Sequence, residues 1–106
     1  MMGMEFIETP TFTRMITALL KSEEYRGLQN TLMENPACGA LIRGGGGIRK
    51  LRSALSGTGK SGGIRVIYYW FPERHQIYLL IAYPKSKKDN LSDKETAILR
   101  DLVKEL

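Results

Sequence analysis

Cysteine and histidine are almost absent from this chain of 106 residues, which has one of each, Cys38 and His75. A single cysteine excludes an internal disulfide framework and is typical of a reducing compartment. Because no spaced set of His, Cys and carboxylates is present, the sequence predicts no metal site and no cofactor. We expect Cys38 to be a buried or inert thiol and His75 to be an incidental surface residue in a turn.

Long apolar runs are also missing. No window approaches the ~18 consecutive apolar residues of a membrane span, and the acidic start around Glu5 is not typical of a signal peptide. With 42% apolar and 25% charged residues, the composition indicates one folded domain over residues 1–106. We therefore expect a cytoplasmic protein that does not contact a membrane.

Acidic residues are missing from the middle of the chain. Residues 36–72 have six basic side chains and no Asp or Glu, whereas residues 1–35 and 89–106 each carry three basic and five acidic ones. Most of the eleven glycines lie in the same middle stretch. Uncompensated cations on permissive backbone favour a polyanionic partner, and we interpret this stretch as an RNA-binding surface. The six cations are Arg43, Arg49, Lys50, Arg52, Lys60 and Arg65.

The hydrophobic periodicity predicts an α+β fold with a compact antiparallel sheet, two N-terminal helices and one C-terminal helix. Residues 5–8 indicate a short edge strand, and an apolar stripe over residues 12–20 indicates a first helix. Ser22 is expected to cap a second helix that ends at Asn35, before a proline. Alternating or continuous apolar patterns predict a three-stranded meander, and a capping box at Ser92 predicts the last helix. The meander strands are expected at residues 48–55, 64–71 and 76–83.

The period of two in the first meander strand puts Lys50 and Arg52 on one face and Arg49 on the other. Hairpin pairing is expected to bring Arg65 beside the first pair. Charges within a sheet of Ile, Val and Leu are unfavourable unless they serve a function, although a solvated sheet face is the simpler alternative. Most aromatic residues of the strands are expected in the core, whereas Tyr83, at a strand end, is expected to face the substrate.

The segment from Ala54 to Ser61 fits a relaxed nucleotide-binding P-loop pattern. A P-loop needs a helix directly after it, because the helix N-terminus holds the phosphates. Here a strongly β segment follows instead. We interpret the segment as a hairpin loop that presents Lys60 to an anionic partner.

Four stretches of the chain resemble the RelE superfamily, most closely its HigB-type branch. They are Ile48–Arg52, Gly59–Gly63, Gly63–Tyr69 and Leu79–Ser92. The resemblance covers nearly the whole chain and implies a toxin of a type II toxin–antitoxin module. Such toxins bind the ribosome and cleave mRNA, and a co-expressed antitoxin, often with a helix-turn-helix domain, neutralises them. The implied partners are thus the antitoxin, the ribosome and mRNA, with DNA reached only through the antitoxin.

The resemblance also implies roles for individual residues. Arg65 would clamp the scissile phosphate, Lys50 would assist proton removal or stabilise charge, and Lys85 would hold a neighbouring phosphate or assist the leaving group. The residues implied in binding the RNA backbone are Arg49, Arg52, Lys60 and Lys88. Some RelE relatives carry a tyrosine or histidine near the last helix, and this chain has neither after Pro84.

Two other functions fit the same residues. A ParE-like member of the superfamily would inhibit DNA gyrase and cleave nothing. A plain nucleic-acid-binding module would owe its affinity to counterion release and would be neither toxic nor catalytic. The expected convergence of Lys50, Arg52 and Arg65 favours the endoribonuclease over both.

Overall fold

A computed structural model describes residues 3–54 and 63–106 of the chain. Within these ranges the fold is α+β, as the sequence predicts, with three helices and five strands. In chain order they are β1 (Glu5–Glu8), α1 (Pro10–Leu19), α2 (Ser22–Glu34), β2 (Ala40–Leu41), β3 (Arg49–Ala54), β4 (Gly63–Phe71), β5 (Gln76–Pro84) and α3 (Asp93–Lys104). None of the helices in the described part is both long enough and apolar enough to cross a membrane.

The strands form one sheet in the order β1-β5-β4-β3-β2. Strands β3, β4 and β5 make the predicted antiparallel meander. The sheet differs from the predicted antiparallel one at its edge, where β1 runs parallel to β5 and makes the sheet mixed. The direction of β1 follows from Thr9, which bonds to the carbonyls of Leu79 and Leu80 and also caps α1. The chain must leave β1 at that point for α1 to cover β5.

Local capping signals explain where the helices begin. Thr9 accepts a hydrogen bond from the backbone N–H of Phe12, and proline occupies the first turn of α1. The cap of α2 is Lys21 rather than the predicted Ser22, because the Glu24 carboxylate accepts from the Lys21 backbone N–H at 2.9 Å. The predicted capping box of α3 is confirmed: Ser92 and Glu95 each accept from the other's backbone N–H.

The helices cover both faces of the sheet and give each face its own apolar core. Helices α1 and α2 pack on one face, and α3 packs on the other. The first core includes Phe12, Ile16, Leu28, Leu32, Ile64, Val66 and Tyr68. The second includes Ile48, Ile67, Leu80, Tyr83, Leu99 and Val103. The two later meander strands are therefore central and buried, which accounts for their nearly continuous apolar sequence.

A β-bulge in β5 changes which side chains face α3. Ile67 of β4 pairs with Ile81, but the next residue, Tyr68, pairs with Leu79, so one residue of β5 is extra. The alternation along β5 shifts by one residue at this point. As a result Tyr83 lies opposite Arg65 on the face that α3 covers.

Candidate nucleic-acid interface

The pairing of β3 with β4 brings three predicted site residues to the α3 face of the sheet. Lys50 lies opposite Ile67, and Arg52 lies directly opposite Arg65. Residues opposite each other in an antiparallel pair leave the sheet on the same side. The predicted convergence of Lys50, Arg52 and Arg65 is therefore present in the strand register.

Arg65 is a buried cation, with 5% of its surface exposed. Its Nε and Nη2 lie 3.1 and 2.9 Å from Oδ1 of Asp89, and its Nη1 donates to the Ile64 carbonyl at 3.3 Å. The hydrogen bond from Arg65 holds the pKa of Asp89 below its ordinary value, and the positive charges of Arg65, Lys50 and Lys85 act in the same direction. The burial of this charge is thus matched by an anion and hydrogen bonds.

Lys50 is held by the residue that follows Asp89. Its Nζ lies 2.5 Å from Oδ1 of Asn90 and 3.5 Å from the Asp89 carbonyl. Unlike Arg65, Lys50 is only partly buried. Two consecutive residues of one loop therefore contact two of the three predicted catalytic cations.

Tyr83 lies beneath this loop rather than at the surface. It is 4% exposed, its hydroxyl is 3.4 Å from the Asp89 carbonyl, and Lys88 Nζ stands 5.0 Å from its ring centroid. Burial raises the pKa of the Tyr83 phenol. Lys88 also pairs with Glu95, and the hydrogen bond from Lys88 lowers the pKa of that carboxyl.

Lys85 is exposed at the start of the same loop. Its backbone N–H donates to the carbonyl of Gly63 at 2.8 Å, which fixes the end of β5 against the start of β4. Its charge reaches Asp89, as the lowered pKa of that residue indicates. Lys85 thus lies directly after β5, at the start of the loop that carries Asp89 and at the rim of the site.

Arg49 is not brought to this surface. It pairs with Tyr68 in the register, on the face that α1 and α2 cover. Its Nη1 donates to the carbonyls of Ala37 and Gly39 at 3.1 and 2.8 Å. Arg49 therefore ties the chain before β2 to the sheet. Lys60, together with most of the segment that resembles a P-loop, lies outside the described residues.

His75, Cys38 and the glycine run are the other features that the sequence singled out among the described residues. His75 is exposed in the turn before β5, with a left-handed φ of 53°. Cys38 is exposed rather than buried, next to the backbone that Arg49 holds. The glycine run ends β2 in a tight loop in which Gly44, Gly46 and Gly47 have positive φ. A Cβ on Gly46 would come within 3.0 Å of Arg100, so this loop lies against α3.

Sequence reasoning assigned no role to Asp89 and Asn90, the two residues that contact the cations most closely. Both lie in the stretch Leu79–Ser92 that resembles the RelE superfamily, but the predicted roles were given to basic side chains and Tyr83. An acidic residue directly after the lysine-rich run 85–88 was the available signal, because an isolated carboxylate among cations is placed to pair with one of them.

Comparison with known proteins agrees with this architecture. A family model described as "RelE toxin of RelE / RelB toxin-antitoxin system" matches residues 18–106. Among solved structures, the chain is similar to a doubly substituted mutant of the E. coli toxin RelE in the free state, with a TM-score of 0.53 and 17% sequence identity. That match covers 83% of this chain and 90% of the other, and at this identity it shows the fold alone. Because the family model spans most of the sequence, the chain belongs to the RelE toxin family.

Proposed function

We propose that this chain is the toxin of a type II toxin–antitoxin module and that it cleaves mRNA on the ribosome. The observation that carries the proposal is the convergence of Lys50, Arg52 and Arg65 on one sheet face, with Lys85 at its rim. If this face were only a solvated sheet surface, its charged side chains would be exposed, whereas Arg65 is buried. Burial of an arginine is expected where its guanidinium must bind a phosphate in a fixed orientation.

RNA cleavage of this kind needs no cofactor, because the substrate supplies its own nucleophile. The 2′-oxygen attacks the adjacent phosphorus, the bond to the 5′-oxygen breaks, and a 2′,3′-cyclic phosphate and a 5′-hydroxyl result. The protein must position the backbone, neutralise the charge that grows on the phosphoryl oxygens, and help the proton leave the 2′-oxygen and reach the 5′-oxygen. Cationic side chains supply such stabilisation most effectively where water is excluded.

The residues take distinct roles in this proposal. Arg65 binds the scissile phosphate, because its planar fork matches two phosphate oxygens. Lys50, beside it on β3, assists proton removal from the 2′-hydroxyl or stabilises the charge that develops. Lys85, on the rim, holds a neighbouring phosphate or assists the leaving 5′-oxygen.

Residues around the centre bind the rest of the RNA. Arg52 is exposed beside Arg65 and is placed to contact the adjacent backbone phosphate. Lys88, in the loop before α3, and Lys60 are assigned to the RNA backbone as well, as the resemblance to the RelE superfamily implies. Tyr83 contributes to RNA binding only if the loop that carries Lys88 and Asp89 moves, since both now cover it.

The proposed function also implies which partners the protein has. We infer a toxin of the HigB-type branch that acts in the cytoplasm, is neutralised by a co-expressed antitoxin with a helix-turn-helix domain, and meets DNA only through that antitoxin. These inferences follow from the sequence motifs together with the family membership.

Induced expression in a bacterium tests the proposal through growth. The wild-type chain is expected to arrest growth, and Arg65→Ala to abolish the arrest while its circular dichroism spectrum stays unchanged. Arg65→Lys keeps the charge but loses the fork and is expected to be strongly impaired. Arg26→Ala, at an exposed arginine of α2 on the other face of the sheet, is the matched control and is expected to remain toxic. Full toxicity of a folded Arg65→Ala variant would exclude the role given to Arg65.

A further inference from the structure

Asp89 stands between Arg65 and solvent. The Arg65 side chain is 7% exposed, whereas the Asp89 side chain is 50% exposed. Both Nε and Nη2 of the buried guanidinium point at the same oxygen, Oδ1, of this half-exposed carboxylate. An incoming anion would meet Asp89 before it met Arg65.

Asn90, the next residue, contacts Lys50 in a similar way. The Asn90 side-chain oxygen lies 2.5 Å from Lys50 Nζ, and the Asp89 carbonyl lies at 3.5 Å. One short loop, between the end of β5 at Pro84 and the α3 cap at Ser92, therefore presents an anion to the arginine and a neutral oxygen to the lysine. These are the two kinds of oxygen that an RNA phosphate and its 2′-hydroxyl would present.

We propose that Asp89 and Asn90 occupy the positions of the RNA phosphate and 2′-hydroxyl in the free protein and that RNA displaces them on binding. This inference rests on the proposed function. Carboxylate and phosphate use the same forked recognition by arginine, so one can replace the other without rebuilding the site. A buried arginine with no anion is unfavourable, and Asp89 supplies the anion until substrate arrives.

The contacts of the loop indicate how the exchange would proceed. Asp89 touches three groups of the site: the Arg65 guanidinium, the Lys50 ammonium and the Tyr83 hydroxyl. Movement of the loop residues 88–90 together would therefore free both cations and uncover the tyrosine. The lysine and arginine would become available to RNA as a unit, and the apparent affinity for RNA would be lowered by the fraction of protein in which the loop is closed.

The test is the affinity of charge-matched variants for an RNA that cannot react. Ribosomes programmed with an mRNA methylated at the 2′-oxygens of the decoding-site codon would be titrated with wild-type toxin, Asp89→Asn and Asp93→Asn. Asp93 is an exposed acid in the first turn of α3, so it controls for the general effect of removing one negative charge. Asp89→Asn is expected to bind about tenfold more tightly than Asp93→Asn, because the competing carboxylate is gone.

Equal affinities of the two variants would overturn the proposal, as would weaker binding by Asp89→Asn, which would mean that Asp89 orients Arg65 for RNA. The absence of binding by every variant would overturn it as well. A second readout follows the Nε–H signal of Arg65 by NMR in the free toxin. The signal is expected to move in Asp89→Asn and to remain in place in Asp93→Asn, and an unmoved signal in both would argue against the contact itself.

These outcomes separate the proposal from the proposed function. If the wild type cleaves mRNA but Asp89→Asn binds no more tightly, the proposed function stands and only the exchange of Asp89 for RNA is rejected. Tighter binding by Asp89→Asn in a protein that cleaves nothing would support the exchange and would reject the nuclease.

Discussion

Arg52 lies directly opposite Arg65 in the ladder between β3 and β4. Like charges in this position repel each other and destabilise a sheet. Asp89 offsets the charge of Arg65, and the Arg52 side chain is exposed. An RNA phosphate bound between the two side chains would reduce the repulsion between them.

Replacement of Arg52 by glutamine should therefore have opposite effects on stability and on binding. The free energy of unfolding in low salt is expected to rise by about 0.2–1 kcal/mol, because the cross-strand repulsion is removed. The slope of log affinity for single-stranded RNA against log salt concentration should become shallower by about 0.7, the value for one lost phosphate contact. Urea unfolding and titrations at several salt concentrations measure the two effects, with Arg26→Gln, at an exposed arginine of α2, as control. Lower stability with an unchanged salt slope would contradict this account of Arg52.

Lys50 should affect the chemical step more than binding. Lys50→Met keeps much of the side-chain length and removes the charge, and its cleavage rate at saturating ribosome complex is expected to fall at least about 10²-fold. Single-turnover cleavage of a ribosome-bound mRNA measures this rate. Lys94→Met, at an exposed lysine of α3, is the control and should react like the wild type. A Lys50→Met rate within about threefold of the wild type would remove Lys50 from the catalytic set.

Arg49 should matter for stability and not for RNA. Arg49→Gln removes the donor to the carbonyls of Ala37 and Gly39 and is expected to lower the free energy of unfolding by about 1–3 kcal/mol. Its rate of mRNA cleavage, measured below the unfolding transition, should equal that of the wild type. The effects are thus the reverse of those expected for its strand neighbour Arg52. A stable Arg49→Gln variant with weakened RNA affinity would mean that Arg49 binds the backbone, as the sequence first indicated.

Tyr68 should make the protein less stable in strong alkali. Burial raises its pKa to about 12, against ~10 in an unfolded chain. The raised pKa contributes to the free energy of unfolding fully below pH ~10. This contribution is lost as pH rises through about 12, because the phenol ionises at lower pH in the unfolded chain than in the folded one. Urea unfolding between pH 9 and 12 measures the decline. Burial shifts the pKa of Tyr25 and Tyr83 upwards too, so Tyr68→Phe should weaken the decline without abolishing it.

The same substitution tests what Tyr68 does at neutral pH. Its hydroxyl donates to the Pro36 carbonyl at 2.7 Å and accepts from the Gly39 N–H at 2.8 Å. Loss of both bonds in Tyr68→Phe is expected to lower the free energy of unfolding by about 1–3 kcal/mol at pH 7. Tyr78→Phe is the control, because its hydroxyl bonds to the side chain of Gln76 in the same strand. Equal stability of the two variants would show that the loop before β2 is held by other contacts.

Most elements of the fold could be predicted from the sequence, because their signals are local. The stripe of α1, the capping box at Ser92 and the apolar runs of β4 and β5 depend only on neighbouring residues. The parallel direction of β1 could not be predicted, since it depends on Thr9 reaching β5 seventy residues later in the chain. The two-residue strand β2 carries too few residues to show a pattern.

The candidate site also has features that the sequence predicted and features that it did not. The period of two in β3 correctly separated Lys50 and Arg52 from Arg49, and the hairpin correctly brought Arg65 beside them. The same alternation already indicated that Arg49 lies on the other face, although its charge favoured an RNA role. The contact between Asp89 and Arg65 joins a loop to a central strand, and no periodicity in the sequence describes the path of that loop.

The central claim is cleavage of mRNA on the ribosome, and the position of new RNA ends tests it most directly. The wild-type chain would be expressed in a bacterium for a few minutes, and the 5′ ends of mRNA on translating ribosomes would be mapped, with Arg65→Ala as the inactive control. The account predicts new 5′ ends in phase with codons in the wild-type sample and none in the control. Intact mRNA in cells that stop growing would contradict it and would favour gyrase inhibition, and unaffected growth with intact mRNA would leave only a nucleic-acid-binding domain.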